Sequence, residues 1–95
     1  MSEFHSPRPN LYVSSDGFSV EVMGRVGMRY AEGGRTMAID SEVLAVPRTM
    51  ALISSSMRAW EPPNDGVALT PEERARIIAN IRRAFDWQGA DLQVM

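Results

Sequence analysis

The stretch Thr70 to Gly89, TPEERARIIANIRRAFDWQG, constrains the fold more than any other, because it reads as one long amphipathic helix whose apolar side has to be covered. Thr70 places a hydroxyl at the N-cap, Pro71 suits a first helical position where its missing N–H is no loss, and Glu73 completes a capping box. Ile77, Ile78, Ile81, Ala84 and Phe85 recur at helical spacing and form one stripe, while Arg74, Arg76, Arg82 and Arg83 mostly fall off it. Gly89 supplies the left-handed residue that ends such a helix.

Upstream the period changes to two. Leu11–Ser15 and Phe18–Val22 flank Asp16-Gly17, a pair suited to a type I′ hairpin turn, and Phe18, Val20 and Val22 alternate with Ser19 and Glu21 as a half-buried strand does. Gly24 and Gly27 bracket a short turn. Met28, Tyr30 and Glu32 alternate up to Gly33-Gly34, where two glycines permit positive φ at both central positions of a tight turn. Thr36 to Leu44 resumes the extended pattern, with a break or bulge expected at Asp40-Ser41, whose side chains compete for backbone hydrogen bonds. Met50 to Ile53 is a continuous apolar run, as expected of a strand covered on both sides near the sheet centre.

The connection Met57 to Gly66 is stiffened by Pro62 and Pro63 and closed by an Asn64-Asp65-Gly66 turn. After the helix, Leu92 and Val94 alternate with polar neighbours in a last short strand that returns to the sheet. Residues 1 to 10 hold Pro7 and Pro9 with little to bury and read as a flexible arm. The expectation is therefore a single α+β domain over residues 11 to 95. It has an antiparallel sheet of five to six strands, packed against one long C-terminal helix and followed by a short final strand.

Composition narrows the function. The chain has 95 residues and is 44% hydrophobic, the make-up of a folded domain, yet no apolar run approaches the ~20 residues of a membrane span. No signal-peptide core is present near the start, so a cytoplasmic protein with no membrane role is expected. There is no cysteine and one histidine, His5 in the arm, which argues against His/Cys metal sites and against any triad that needs a placed imidazole. All ten basic residues are arginine against twelve acids, a net charge of −2, and no basic face marks a nucleic-acid binder.

No catalytic constellation emerges. Asp40 and Glu42 share a strand face but read as a solvated strand end, and Glu72 and Glu73 suit the positive end of the helix dipole. The glycines lack a following helix N-terminus and the Gly-Lys-Ser/Thr of a phosphate cradle, and Ser54 to Ser56 lack a partner base. An enzyme is not expected, and neither is a cofactor. What stands out is the stiffened loop with mixed charge and one large aromatic. Trp60 is either a core plug, as that residue type more often is, or an interface anchor able to pair with Arg58. Glu32, Arg35, Arg58, Trp60, Glu61 and Asp65 are the candidate partner-binding residues.

Three stretches together carry a family pattern. The run Tyr30 to Leu44, with its E-G-G-R turn and I-D-S-E, is followed by Trp60-Glu61-Pro62-Pro63 and by Arg76 to Phe85, RIIANIRRAF. In this order they resemble the immunity protein 74 family of bacterial polymorphic toxin systems, over about residues 18 to 95. The resemblance implies a small cytoplasmic protein that binds and neutralises a cognate toxin domain without being an enzyme. It does not say which matching residues touch the toxin, since Gly33-Gly34, Pro62-Pro63 and the isoleucines are explained by folding alone. The other reading is a self-associating structural module that uses an exposed strand edge, which leaves a homodimer open.

Overall fold

Alternating apolar residues become strands in this chain, and apolar residues at helical spacing become its one long helix. The structure is a computed structural model that describes residues 3–24 and 26–95. Met1 and Ser2 of the expected arm, and Arg25 of the expected turn between Gly24 and Gly27, lie outside the described residues. In chain order come β1 (Phe4–Arg8), β2 (Leu11–Ser14), β3 (Phe18–Val22), β4 (Val26–Glu32), β5 (Arg35–Val43) and β6 (Thr49–Leu52). A 3-10 turn at Ser54–Ser56, the helix α1 (Pro71–Gln88) and β7 (Asp91–Val94) complete it.

The fold is α+β, as expected, with seven strands in a single sheet ordered as in the sequence. They are six antiparallel strands, the upper expectation, and the short final strand, with one strand added to those marked in the sequence. β1 to β6 form an antiparallel meander and β7 lies parallel to β6. The direction change follows from the connection: α1 carries the chain back along the sheet, so β7 re-enters in the direction of β6.

The added strand is β1, where an arm was expected. Phe4 and His5 pair with Ser14 and Val13, and after a register slip Arg8 pairs with Leu11. Phe4 ties this strand down, with its ring edge-on to Phe18 at 5.7 Å and 5.9 Å from Trp87. Pro7 is tolerated because β1 is an outer strand and needs a ladder on one side only.

The turns follow their residues. Glu32 pairs with Arg35 across Gly33-Gly34, and both glycines have positive φ, 57° and 79°, as a two-residue hairpin requires. At Ser15-Asp16-Gly17 only Gly17 has positive φ, and its N–H donates to the Ser14 carbonyl at 3.3 Å. That loop is a three-residue turn ending in a glycine bulge and not the expected type I′ pair. Between β4 and β5 the register moves from Met28 opposite Ile39 to Val26 opposite Glu42. The extra residue therefore falls at Asp40-Ser41, where the bulge was expected, and the buried Ser41 hydroxyl accepts the Gly27 N–H at 3.0 Å.

One face of the sheet carries the core. Phe18, Val20, Met28, Tyr30, Met37 and Ile39 are buried there, and α1 lays Ile77, Ile81, Ala84 and Phe85 against the same core. Burying each large apolar side chain contributes about 1.5–3 kcal/mol. All four residues of β6 are buried, with Met50 and Leu52 in the core, although it is the last but one strand and not central in the sheet as expected. The helix ends are closed as its sequence requires: the Thr70 hydroxyl accepts the Glu73 N–H, the Glu73 carboxylate accepts the Thr70 N–H, and Gly89 is left-handed. Arg48 adds donors to the Gln88 and Gly89 carbonyls at 2.7 and 2.9 Å. Among the described residues no helix is long and apolar enough to cross a membrane.

Candidate functional site

Pairing across Gly33-Gly34 puts Glu32 and Arg35 side by side, on the face of β4 and β5 that also carries Tyr30 and Met37. Glu32 is fixed from below: its Oε1 accepts the Tyr30 hydroxyl at 2.6 Å and its Oε2 accepts Arg76 Nη2 at 2.7 Å. The same Tyr30 hydroxyl accepts Asn80 Nδ2 at 2.9 Å. Asn80 Oδ1 accepts Arg83, which also donates to Asp16 at 2.6 Å. One polar chain thus runs from the β4–β5 corner along α1 to the β2–β3 turn. Burial and, after it, the hydrogen bond to Glu32 hold the Tyr30 phenol well above its ordinary pKa.

Arg35 is positioned differently. Its guanidinium lies 4.3 Å above the centroid of the Trp60 ring, and its nearest carboxylate oxygen is Glu32 Oε2 at 3.6 Å. Trp60 is 4% exposed and packs 6.1 Å from the Tyr30 ring, so it is the core plug of the two readings and not a protruding anchor. The physical reason is strand-like alternation. The Glu61 N–H donates to the Thr36 carbonyl at 2.8 Å, which aligns this part of the loop with β5. Trp60 then turns inward and Glu61 outward, where it accepts Arg29 at 2.8 Å and the Thr36 hydroxyl.

The cation on Trp60 is Arg35 and not the expected Arg58, whose Nε faces the Ser55 carbonyl at 3.4 Å. Asp65 is exposed at the loop tip and has no hydrogen bond or ion pair among the described residues. Glu32, Arg35 and Trp60 are therefore brought together. Glu61 lies round the same corner with Arg29, while Arg58 sits by the 3-10 turn.

Between Arg35 and the loop opens a cleft of about 380 Å³ whose lining includes Trp60, Pro63, Asn64, Val67 and Glu73. Val67 on its lip is 75% exposed. A smaller cleft of about 190 Å³, lined in part by Tyr12, Val22, Val43 and Phe85, opens at the far end of the helix. Near it Trp87 is half exposed, 6.2 Å from the Tyr12 ring. The sequence reading passed over Trp87, which sits in the last helical turn with no loop signal around it. It also passed over Tyr30, Asn80 and Arg76 as supports of Glu32, since each acts across the fold and only the resemblance had marked Asn80. No three His, Cys, Asp or Glu side chains gather as metal ligands among the described residues.

The β4–β5 corner thus holds charges oriented by a buried network beside an aromatic floor. A model of the family described as Immunity protein 74 matches residues 13–95. The chain belongs to the immunity protein 74 family. No curated protein and no solved structure matches it.

Proposed function

We propose that this protein is a cytoplasmic immunity protein that binds a cognate bacterial toxin domain, of the kind deployed between competing bacteria, and occludes it. It acts by binding and not by catalysis. The observation that carries this reading is the family match over residues 13–95. The contact face we assign is the β4–β5 corner with its loop: Glu32, Arg35, Arg58, Glu61 and Asp65 at the surface, with Trp60 as the buried floor that holds Arg35. Supporting it, the charged groups there are already oriented before a partner arrives, which lowers the ordering cost of association.

Calorimetric titration with the toxin domain encoded beside this chain tests the reading, together with growth of cells making that toxin. A one-to-one complex that restores growth is expected. Asp65→Arg should weaken it by about tenfold or more while leaving the melting temperature nearly unchanged. Glu61→Arg should weaken it by as much and also lower the melting temperature, because it sets a second cation against Arg29 and frees the Thr36 hydroxyl. Absence of a complex with the wild-type chain would overturn the function, and full affinity in both variants would overturn the face.

Self-association through strand edges is the other reading, and both outer strands are encumbered. β1 carries Pro7 and a register slip. On β7 the N–H groups of Asp91 and Met95 go to the Arg48 and Leu52 carbonyls, so Leu92 faces the open edge, where Arg82 Nη1 occupies its carbonyl at 3.0 Å. Sedimentation equilibrium should give a monomer at micromolar concentration.

A further inference from the structure

We propose that the cleft between Arg35 and the loop at Pro63 to Val67 is a receptor for one carboxylate side chain, an Asp or Glu of the bound partner, gripped by the Arg35 fork. This rests on the reading that the chain neutralises a toxin, and it adds the chemistry by which the partner is read.

Three observations carry it. First, the Arg35 side chain has no hydrogen bond among the described residues; its nearest carboxylate oxygen, on Glu32, lies 3.6 Å away, and the Glu73 carboxylate also feels its charge. A guanidinium offers five N–H donors in a planar fork that matches a carboxylate two to two. By contrast, Arg76, Arg83, Arg29, Arg48 and Arg74 are each hydrogen-bonded to another part of the chain. Second, the fork is aimed without a hydrogen bond being used to aim it. A cation–π contact with Trp60, itself buried and packed on Tyr30, holds the guanidinium over the ring and leaves its N–H groups for a ligand.

Third, Trp60 Nε1 is a buried donor with no hydrogen-bond partner among the described residues. Such orphans are rare in folded proteins, and this one belongs to the ring that floors the cleft, where the N–H reports a change in the charge held above the ring. The remaining lining sets the ligand's class. Pro63 and Val67 form an apolar lip suited to the methylenes of an acidic side chain. Glu73 stands in the same cleft with its carboxylate tied to the Thr70 N–H. Its charge opposes each negative charge that enters, so a monoanionic carboxylate is favoured over a phosphate dianion.

The test is a double-mutant cycle by calorimetry with the toxin domain encoded beside this chain. Arg35→Met should weaken binding by at least ~30-fold, and Arg35→Lys, which keeps the charge but loses the fork, by ~10-fold. Among Asp→Asn and Glu→Gln variants of the toxin, one should be costly against the wild-type chain and silent against Arg35→Met. Arg35→Met within threefold of wild type, or no acidic toxin residue coupled to it, would overturn the cleft while leaving the toxin-binding reading in place.

A second measurement needs no toxin. With the full chain, N-acetyl-glutamate amide should shift the Trp60 indole N–H resonance saturably, while the glutamine analogue should not, and Arg35→Met should abolish the response. A toxin that does not bind together with this response would sink the toxin reading and keep the cleft. Equal responses to both compounds, or none to the glutamate compound, would count against the cleft.

Discussion

Tyr30 shows how much one buried hydroxyl does in this protein. It donates to Glu32 and accepts from Asn80, so it couples the β4–β5 corner to the helix. Its pKa in the folded chain is raised above the ordinary 10.0, chiefly by burial. The folded state therefore keeps its proton in a range where the unfolded chain has lost it. Stability from this group is full below about pH 10 and falls as pH rises further. Tyr30→Phe should be about 1–3 kcal/mol less stable at neutral pH, because Glu32 and Asn80 lose a partner, and should decline less steeply above pH 10. Urea unfolding at about pH 7 and about pH 10.5 checks both limbs. Glu73 gives the opposite sign. Its pKa is lowered from 4.5, first by the Thr70 backbone N–H, so its contribution is present above that value and disappears as pH falls through its lower folded one. At this scale the sequence disclosed the cap and little of the site. Thr70 and Glu73 are three residues apart, whereas Tyr30, Asn80 and Arg76 meet only through the fold. Trp60 was ambiguous because alternation in a loop cannot be read until its pairing with β5 is known.

Among the elements, α1 was the most legible, since capping, stripe and terminator all lie within it. Ile81 lies at the centre of that stripe and is fully buried. Ile81→Ala should cost about 2–5 kcal/mol, and Ile81→Asp should prevent stable folding. A thermal melt within a few degrees of wild type for the aspartate variant would show that the stripe carries no core. Removing the cap by Thr70→Ala should cost about 1 kcal/mol, measured in the same way. The bulge in β5 was legible from Asp40-Ser41, yet its function in the fold was not. The Ser41 hydroxyl accepts a backbone N–H that the bulge would otherwise leave unpaired. Strand β1 was hidden by Pro7 and Pro9, which argue against a ladder strand in general but not against an outer one. Its anchor, Phe4, acts through contact with Phe18 and Trp87, both distant in sequence.

For the molecule as a whole, the sheet presents two unlike ends on its helix side. One end carries the Arg35 cleft with its oriented charges; the other carries Trp87, Tyr12 and the smaller, more apolar cleft. The family pattern in the sequence pointed to the class of protein and not to a contact surface; the fold brings its Glu32, Arg35 and Trp60 together at the first end. The central claim is that a toxin domain is held at the β4–β5 corner. Hydrogen–deuterium exchange with and without that domain tests it most directly. The account predicts slowed exchange over Glu32 to Thr36 and Trp60 to Val67, with β1 and the Trp87 turn unchanged. Protection confined to Phe4 to Ser14 and the last turn of α1 would contradict it.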